Sequence, residues 1–273
     1  MPFLQIIVLA LIQGTTEFLP VSSSGHLILV PVLTGWPDQG VVTDMVTNLG
    51  TLFAVIVYFY HDVIAMLRGA ADAVRRRTTR DSRLVVNVLI GTIPIIIVGL
   101  VMKALHLDDH IRSAMLVACN AIVFGVLLYV FDAFGLAVRG VSDMNWKTSL
   151  IIGCAQALSL SPGTSRSGIT MTAARGLGFT RPEAARFSFL LSIPANGAAS
   201  ILVIGDALES GETISAAVIL TGVLTFFVAL GTITVLMRLV RHMSFLPFAI
   251  YRVVLGFILL GVIYSGMPLG AVN

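Results

Sequence analysis

Charge is what this sequence has least of. Of its 273 residues only 11% are Asp, Glu, Lys or Arg, where soluble domains carry about 25%, and a water-soluble fold is excluded. No Lys or Arg occurs before Arg68, so the first apolar run lacks a positive n-region and a cleavable signal peptide is not expected. The two cysteines, Cys119 and Cys154, both sit in apolar segments. They make no disulfide framework and read as buried free thiols. The period-two alternation of outer-membrane strands is also missing. What is present is 57% hydrophobic residues with mean hydropathy +0.97, arranged in long runs. In lipid, backbones are satisfied only within helices or closed barrels, so the expected fold is an all-α polytopic membrane protein.

Runs of the length that spans a bilayer, about 20 residues, lie near 42–60, 84–106, 114–134, 185–204, 214–238 and 245–265. Two further apolar regions, 3–34 and 148–175, are each broken by a polar, Gly/Pro-containing stretch. Their halves are too short to span. They read as two re-entrant helix pairs, which lipid tolerates only where protein or a cavity surrounds the irregular backbone.

The two interruptions resemble each other. Gln13, Ser22, Ser24 and Gly25 match Gln156, Ser165, Ser167 and Gly168, each displaced by 143 residues. Each interruption is followed by three spans, an odd number, so the second copy must be inverted relative to the first, as in transporters. A single membrane domain over 1–273 is expected, with repeats at about 1–134 and 148–265. With both termini outside, the cytoplasmic side receives Arg68, Arg75, Arg76, Arg77, Arg80, Arg83, Arg139, Lys147, Arg175, Arg181, Arg186, Arg238 and Arg241. The outer side receives only Lys103 and Arg112, with the acids Asp38, Asp206, Glu209 and Glu212. That imbalance follows the positive-inside rule, and it makes "RGAADAVRRRTTRDSR" a topology anchor rather than a nucleic-acid patch. The polar turns then enter from opposite sides and meet near the midplane, where inverted-repeat proteins keep their sites.

Ionisable residues at membrane depth are expensive and mark function. Glu17, His26, Arg166 and Arg252 fall there; Arg252 alone is near enough to a helix end to snorkel to the inner surface. In "LSPGTSRSGITM", residues 160–171, Pro162 and Gly163 break a helix, and Thr164, Ser165 or Ser167 can cap the next. A helix starting there aims free N–H groups and a positive dipole end at an anion, typically phosphate. Arg166 adds a planar fork of donors. In "QGTTEFLPVSSSGHL", residues 13–27, a helix beginning near Ser22 puts Ser23 and His26 on one face, within reach of each other as a nucleophile and its base. Glu17 can orient the imidazole, take a proton or hold a divalent cation through oxygen. Gln13, one turn earlier, can supply a carbonyl ligand or a hydrogen bond.

With these residues in view, the chain resembles the undecaprenyl-diphosphate phosphatase family, the bacitracin-resistance type of bacterial membrane enzyme. "EFLPVSSSGH" at 17–26 and "PGTSRSGIT" at 162–170 match its motifs, and the likeness extends to "FSFLLSIP" at 187–194 and "SFLPFAIYR" at 244–252. The resemblance implies hydrolysis of the terminal phosphate of undecaprenyl diphosphate on the outer face of the bacterial cytoplasmic membrane. It also implies a divalent cation, Mg²⁺ or Ca²⁺, and recycling of the lipid carrier for cell-wall synthesis. By motif position Glu17, Ser23, His26 and Arg166 are the expected catalytic residues. Ser22, Ser24, Gly163, Thr164, Ser165, Ser167 and Thr170 are the expected phosphate site, and Glu17 with Gln13 the expected metal ligands. Gln13 stands where many relatives have a second glutamate, which weakens a two-carboxylate metal site. The expected partners are the polyprenyl diphosphate and membrane lipid, with no nucleic acid; a homodimer is left open. The "PSGH" motif of acid-phosphatase-type membrane enzymes is echoed at Ser24-Gly25-His26, but its companions are absent, since Ala174 and Thr172 stand where a basic residue and a histidine are needed. A polyprenyl-phosphate flippase could use the same phosphate site, yet it has no use for an activated hydroxyl.

Overall fold

A computed structural model describes residues 2–37, 39–105, 113–209 and 215–265. The chain folds into eleven α-helices among the described residues, and an isolated bridge between Arg139 and Phe179 is the nearest approach to a strand. Six helices are long and apolar enough to cross a membrane: α3 (Val41–Tyr58), α5 (Arg80–Ala104), α6 (Ala114–Phe134), α9 (Arg181–Glu209), α10 (Ala216–Leu239) and α11 (Leu246–Tyr264). The protein is an all-α, multi-pass membrane protein. The interrupted regions resolve into short pairs, α1 (Phe3–Thr16) with α2 (Ser23–Thr34) and α7 (Trp146–Ala157) with α8 (Arg166–Gly176). At 14 residues α1 is the longest of these four, about 21 Å of helix, which is less than the hydrocarbon thickness. One helix was not expected: α4 (Tyr60–Val74) takes in the start of the basic segment read as a loop anchor, up to Val74.

Start signals are local. The Thr79 and Ser82 side chains cap each other's backbone N–H groups at the head of α5, Asn145 caps α7 through the amides of Lys147 and Thr148, and Ser215 caps α10. Each satisfies amides that a helix start leaves without partners.

The burial pattern is turned out relative to a soluble protein. Thr51, Ser149, Gln156 and Arg252 are fully buried, while Phe53, Ile97, Ile201, Phe227 and Phe257 face outward, as lipid solvation allows. Cys119 and Cys154 are free but exposed, which corrects the expectation of buried thiols: the lipid-facing surface is itself apolar, so a thiol needs no core position. Helices meet where side chains are absent. A Cβ on Gly50 of α3 would stand 2.3 Å from the carbonyl oxygen of Gly222 on α10, and one on Gly153 of α7 would stand 2.4 Å from that of Gly91 on α5. Small residues at such crossings let backbones touch. The packing is paired: α1 lies on α10 and α7 on α5, α3 on α9, and α6 on α11.

One end of the bundle is cross-tied by charge. Buried Asp132 near the end of α6 accepts from Arg175 Nε and Arg181 Nε, both at 2.8 Å, and from the Phe245 amide at 2.9 Å. Arg186 pairs with Asp62 at the start of α4, and Asn87 of α5 donates to the Met144 carbonyl. These ties gather Arg139, Lys147, Arg175, Arg181 and Arg186 at the same end as α4. Of the residues expected on the other side, Arg112, Asp38 and Glu212 lie outside the described residues, as do the side chains of Asp206 and Glu209.

Candidate active site

Two polar turns face each other inside the bundle, and they share an unusual backbone. The first runs from Glu17, the C-cap of α1, to Ser22; the second follows a 3-10 turn at Leu158–Leu160 and ends at Ser165. Ser22 (φ 75°, ψ 97°) and Ser165 (φ 68°, ψ 111°) are the residues immediately before α2 and α8. Positive φ costs a residue with a Cβ of order 1–3 kcal/mol and persists only where the surroundings enforce it. Each is followed two residues later by a serine whose hydroxyl meets its own, Ser22 with Ser24 at 3.2 Å and Ser165 with Ser167 at 3.3 Å. These pairs are the same ones that the 143-residue displacement matches in sequence.

Glu17 is the hub between the turns. Its Oε1 accepts from Arg166 Nη2 at 2.6 Å, and its Oε2 accepts from the Ser23 hydroxyl at 2.8 Å and from Gln13 Nε2 at 3.1 Å. Gln13 also donates to Asn48 Oδ1 of α3 at 2.9 Å, leaving its own Oε1 buried without a partner among the described residues. Arg166 Nη1 bonds Asn196 Oδ1 on α9. The Ser167 hydroxyl reaches back to the carbonyls of Glu17 and Leu19, and the Gly163 amide donates to Ser24 Oγ. Both side chains of the Glu17–Arg166 pair are mostly buried, at 11% and 15% exposure.

A cavity of about 330 Å³ opens at this junction. Its polar wall includes Glu17, Ser22, Ser23, Ser24, Ser165, Arg166 and Asn196, and its apolar wall includes Ile96 and Leu100 of α5 and Leu202 of α9. The head of α8 is capped by Ser165 Oγ on the Gly168 amide. The other first-turn amides of α8, with the positive dipole end and Arg166, give the polar wall the character of an anion site. The Ser23 hydroxyl, the Glu17 carboxylate and the Arg166 guanidinium therefore converge beside a greasy slot.

The cavity brings together Glu17, Ser22, Ser23, Ser24, Ser165 and Arg166 among the residues expected from sequence. Gln13, His26, Gly163, Thr164, Ser167 and Thr170 stand behind it. Thr170 is spent inside α8 and against Ser188 Oγ at 2.6 Å. Spacing predicts a Ser23–His26 hydrogen bond, and the structure replaces it: Ser23 turns to Glu17, while His26 Nδ1 bonds the Ser22 carbonyl at 2.8 Å and Nε2 bonds the Tyr251 hydroxyl. A shared helix face fixes neighbourhood, not partner, and a carboxylate is the stronger acceptor. Arg252 does not snorkel. It is fully buried and donates Nη2 to the carbonyls of Gly163 (3.0 Å) and Thr164 (2.7 Å), because the second turn offers it acceptors closer than the inner surface. Sequence reasoning missed Asn48, Asn196 and Tyr251; the only signal for the two asparagines is a polar side chain within an apolar span.

The chain from residue 6 to residue 258 matches the family model described as bacitracin resistance protein BacA. Among curated proteins it is 44% identical to a protein of Erythrobacter litoralis, over 95% of this chain and 99% of that one. It is 43% identical to one of Ruegeria pomeroyi, over 97% and 100%, and 45% identical to one of Alcanivorax borkumensis, over 95% and 98%. All three relatives carry the name undecaprenyl-diphosphatase. With its two facing turns, and with likeness running along nearly its whole length, this chain belongs to the bacitracin resistance protein BacA family.

Proposed function

We propose that this protein hydrolyses the terminal phosphate of undecaprenyl diphosphate to give undecaprenyl phosphate. The observation that carries the reading is the Ser23 hydroxyl held on the Glu17 carboxylate, in a cavity whose wall also holds Arg166 at the head of α8. A binding site for phosphate needs only the second half of that arrangement. A hydroxyl already donating to a carboxylate is what a phosphoryl transfer needs, and it speaks against a flippase.

In the proposed reaction Ser23 Oγ attacks the terminal phosphorus while its proton passes to Glu17 Oε2. The bond from phosphorus to the bridging oxygen breaks, and the lipid monophosphate leaves. Arg166 and the free amides of α8 hold the equatorial oxygens, where charge is spread in the transition state. Water then cleaves the phosphoserine. His26, whose ring nitrogens are committed to Ser22 and Tyr251, supports the turn.

The donors fit a hard cation only modestly. Among the described residues no group of three His, Cys, Asp or Glu is placed to hold a metal, but Gln13 Oε1 is a buried oxygen without a partner beside Glu17. Magnesium is commonly held by one or two carboxylates together with substrate phosphates. Glu17 and Gln13 would hold Mg²⁺ or Ca²⁺, and the ion would neutralise phosphate charge.

We further infer that the two halves are inverted repeats. The matched backbone at Ser22 and Ser165, and the pairing of α1 on α10 with α7 on α5, support this reading. The basic end then faces the cytoplasm and the cavity serves the outer leaflet of the bacterial inner membrane. Phosphate release from undecaprenyl diphosphate by the purified protein in detergent, with Mg²⁺ and with a chelator, tests the assignment. Binding without phosphate release under either condition would overturn it.

A further inference from the structure

Behind the cavity, one helix touches both turns. Tyr251 and Arg252 are consecutive in α11, so their side chains leave it about 100° apart, one toward each turn. The Tyr251 hydroxyl meets His26 Nε2 at 2.5 Å, with the rings stacked 3° from parallel. A carbonyl oxygen can only accept, so His26 Nδ1 carries the proton it gives to Ser22, and in the neutral ring Nε2 accepts from Tyr251. That chain ends on the carbonyl of the positive-φ residue directly before Ser23. Arg252 in turn holds the carbonyls of Gly163 and Thr164, the two residues directly before the other positive-φ serine, Ser165.

Neither side chain lines the cavity. Among the described residues Arg252 has no ion-pair partner, and its Nε and Nη1 are buried without acceptors, so burying this guanidinium makes sense chiefly through the two carbonyls it grips. It also adds positive charge beside the head of α8. The helix that carries both residues is firmly seated: a Cβ on Gly125 of α6 would stand 3.0 Å from Arg252 Cβ. A turn with strained backbone keeps its shape only while its surroundings hold it, and a displacement of about 1 Å in a reacting group can reduce the rate about a hundredfold.

We propose that Tyr251 and Arg252 form a paired positioning element, by which α11 holds the two strained turns in register so that Ser23 faces the head of α8. The inference rests on the phosphatase reading above for its kinetic consequence, but not for its structural one.

The test uses the full-length protein in detergent, with a short-chain prenyl diphosphate as substrate, and ¹⁵N-histidine NMR in parallel. Tyr251→Phe should lower kcat about fivefold to tenfold, the worth of one hydrogen bond, with KM within about twofold. Arg252→Met should lower kcat further, and Arg252→Lys should recover part of the loss because an ammonium can still donate to both carbonyls. The His26 ring should resonate as the Nδ1–H tautomer, assigned by its loss in His26→Gln, and Tyr251→Phe should move its Nε2 signal while Arg252→Lys leaves it in place. Unchanged kcat per folded molecule in both Tyr251→Phe and Arg252→Lys would overturn the proposal, as would a change confined to KM or an unmoved Nε2 signal. If Arg252→Met fails to fold, Arg252→Lys decides. If the wild-type protein releases no phosphate, the phosphatase reading falls, and the His26 signal still decides whether the element exists.

Discussion

Glu17→Gln removes one charge from the centre of the site while keeping its shape. Two losses follow. The first is electrostatic: Arg166 Nη2 lies 2.6 Å from Glu17 Oε1, and two unit charges about 4 Å apart attract by about 4 kcal/mol at the effective dielectric of a protein. Removing one partner of a buried pair costs about 3–5 kcal/mol of stability. The lower end applies here because both side chains keep slight exposure and the glutamine carbonyl can still accept from Arg166. The second loss is chemical. The amide presents N–H₂ or a poor base to Ser23 Oγ, so the hydroxyl proton has nowhere to go. A positioned base contributes about 10²–10⁴ in rate, and kcat should fall at least about a hundredfold. Free phosphate released from a diphosphate lipid gives the rate, and thermal unfolding in detergent gives the folded fraction by which it is divided. Glu17→Asp should fall between, retaining charge one methylene short of reach. A Glu17→Gln protein keeping more than about a tenth of wild-type kcat would refute the role of Glu17 as the proton acceptor of Ser23.

Arg166→Lys keeps a cation but loses the planar fork, so turnover should drop by about tenfold or more, about 1.4 kcal/mol of transition-state stabilisation; near-normal turnover would make Arg166 a structural charge. Ser23→Ala should abolish turnover while the diphosphate still binds, and substantial remaining activity would identify water as the nucleophile. Cysteines introduced at Arg76 and Ser215, in a chain with Cys119 and Cys154 replaced, should react with an impermeant maleimide from opposite faces of the membrane; reaction from one face would undo the inverted arrangement.

The spans were legible because apolar length is their cause. The run read at 114–134 is α6 without change, and the others agree within a few residues at most ends, since hydrocarbon thickness sets how long a helix must be. The polar turns were legible for the converse reason: Pro162, Gly163 and a row of hydroxyls have no place in a lipid-facing helix. Side-chain partnership was not legible. Nothing in the spacing of Ser23 and His26 says that Glu17, six residues before Ser23, takes the hydroxyl, or that Tyr251, 225 residues after His26, takes the imidazole. Those choices depend on how α11 and α8 come to rest against the first turn. Arg252 was noticed as an intramembrane charge, yet its destination needed acceptors that only the folded second turn provides. Helix α4 was hidden because it runs on directly from the span before it and ends just before the Arg75–Arg77 cluster, which suits a topology anchor equally well beside a loop or a helix.

Backbones that touch cannot slide. With Gly50 seated on the Gly222 carbonyl and Gly153 on that of Gly91, moving α3 along α10, or α7 along α5, by one residue would drive a side chain into a carbonyl oxygen. A carrier that works by rocking one half against the other needs just that freedom at its interface. Here the N-terminal and C-terminal parts of the chain meet backbone to backbone at two crossings, an interface suited to a site that stays in place while a lipid substrate drifts to it in the plane of the bilayer and its product drifts away.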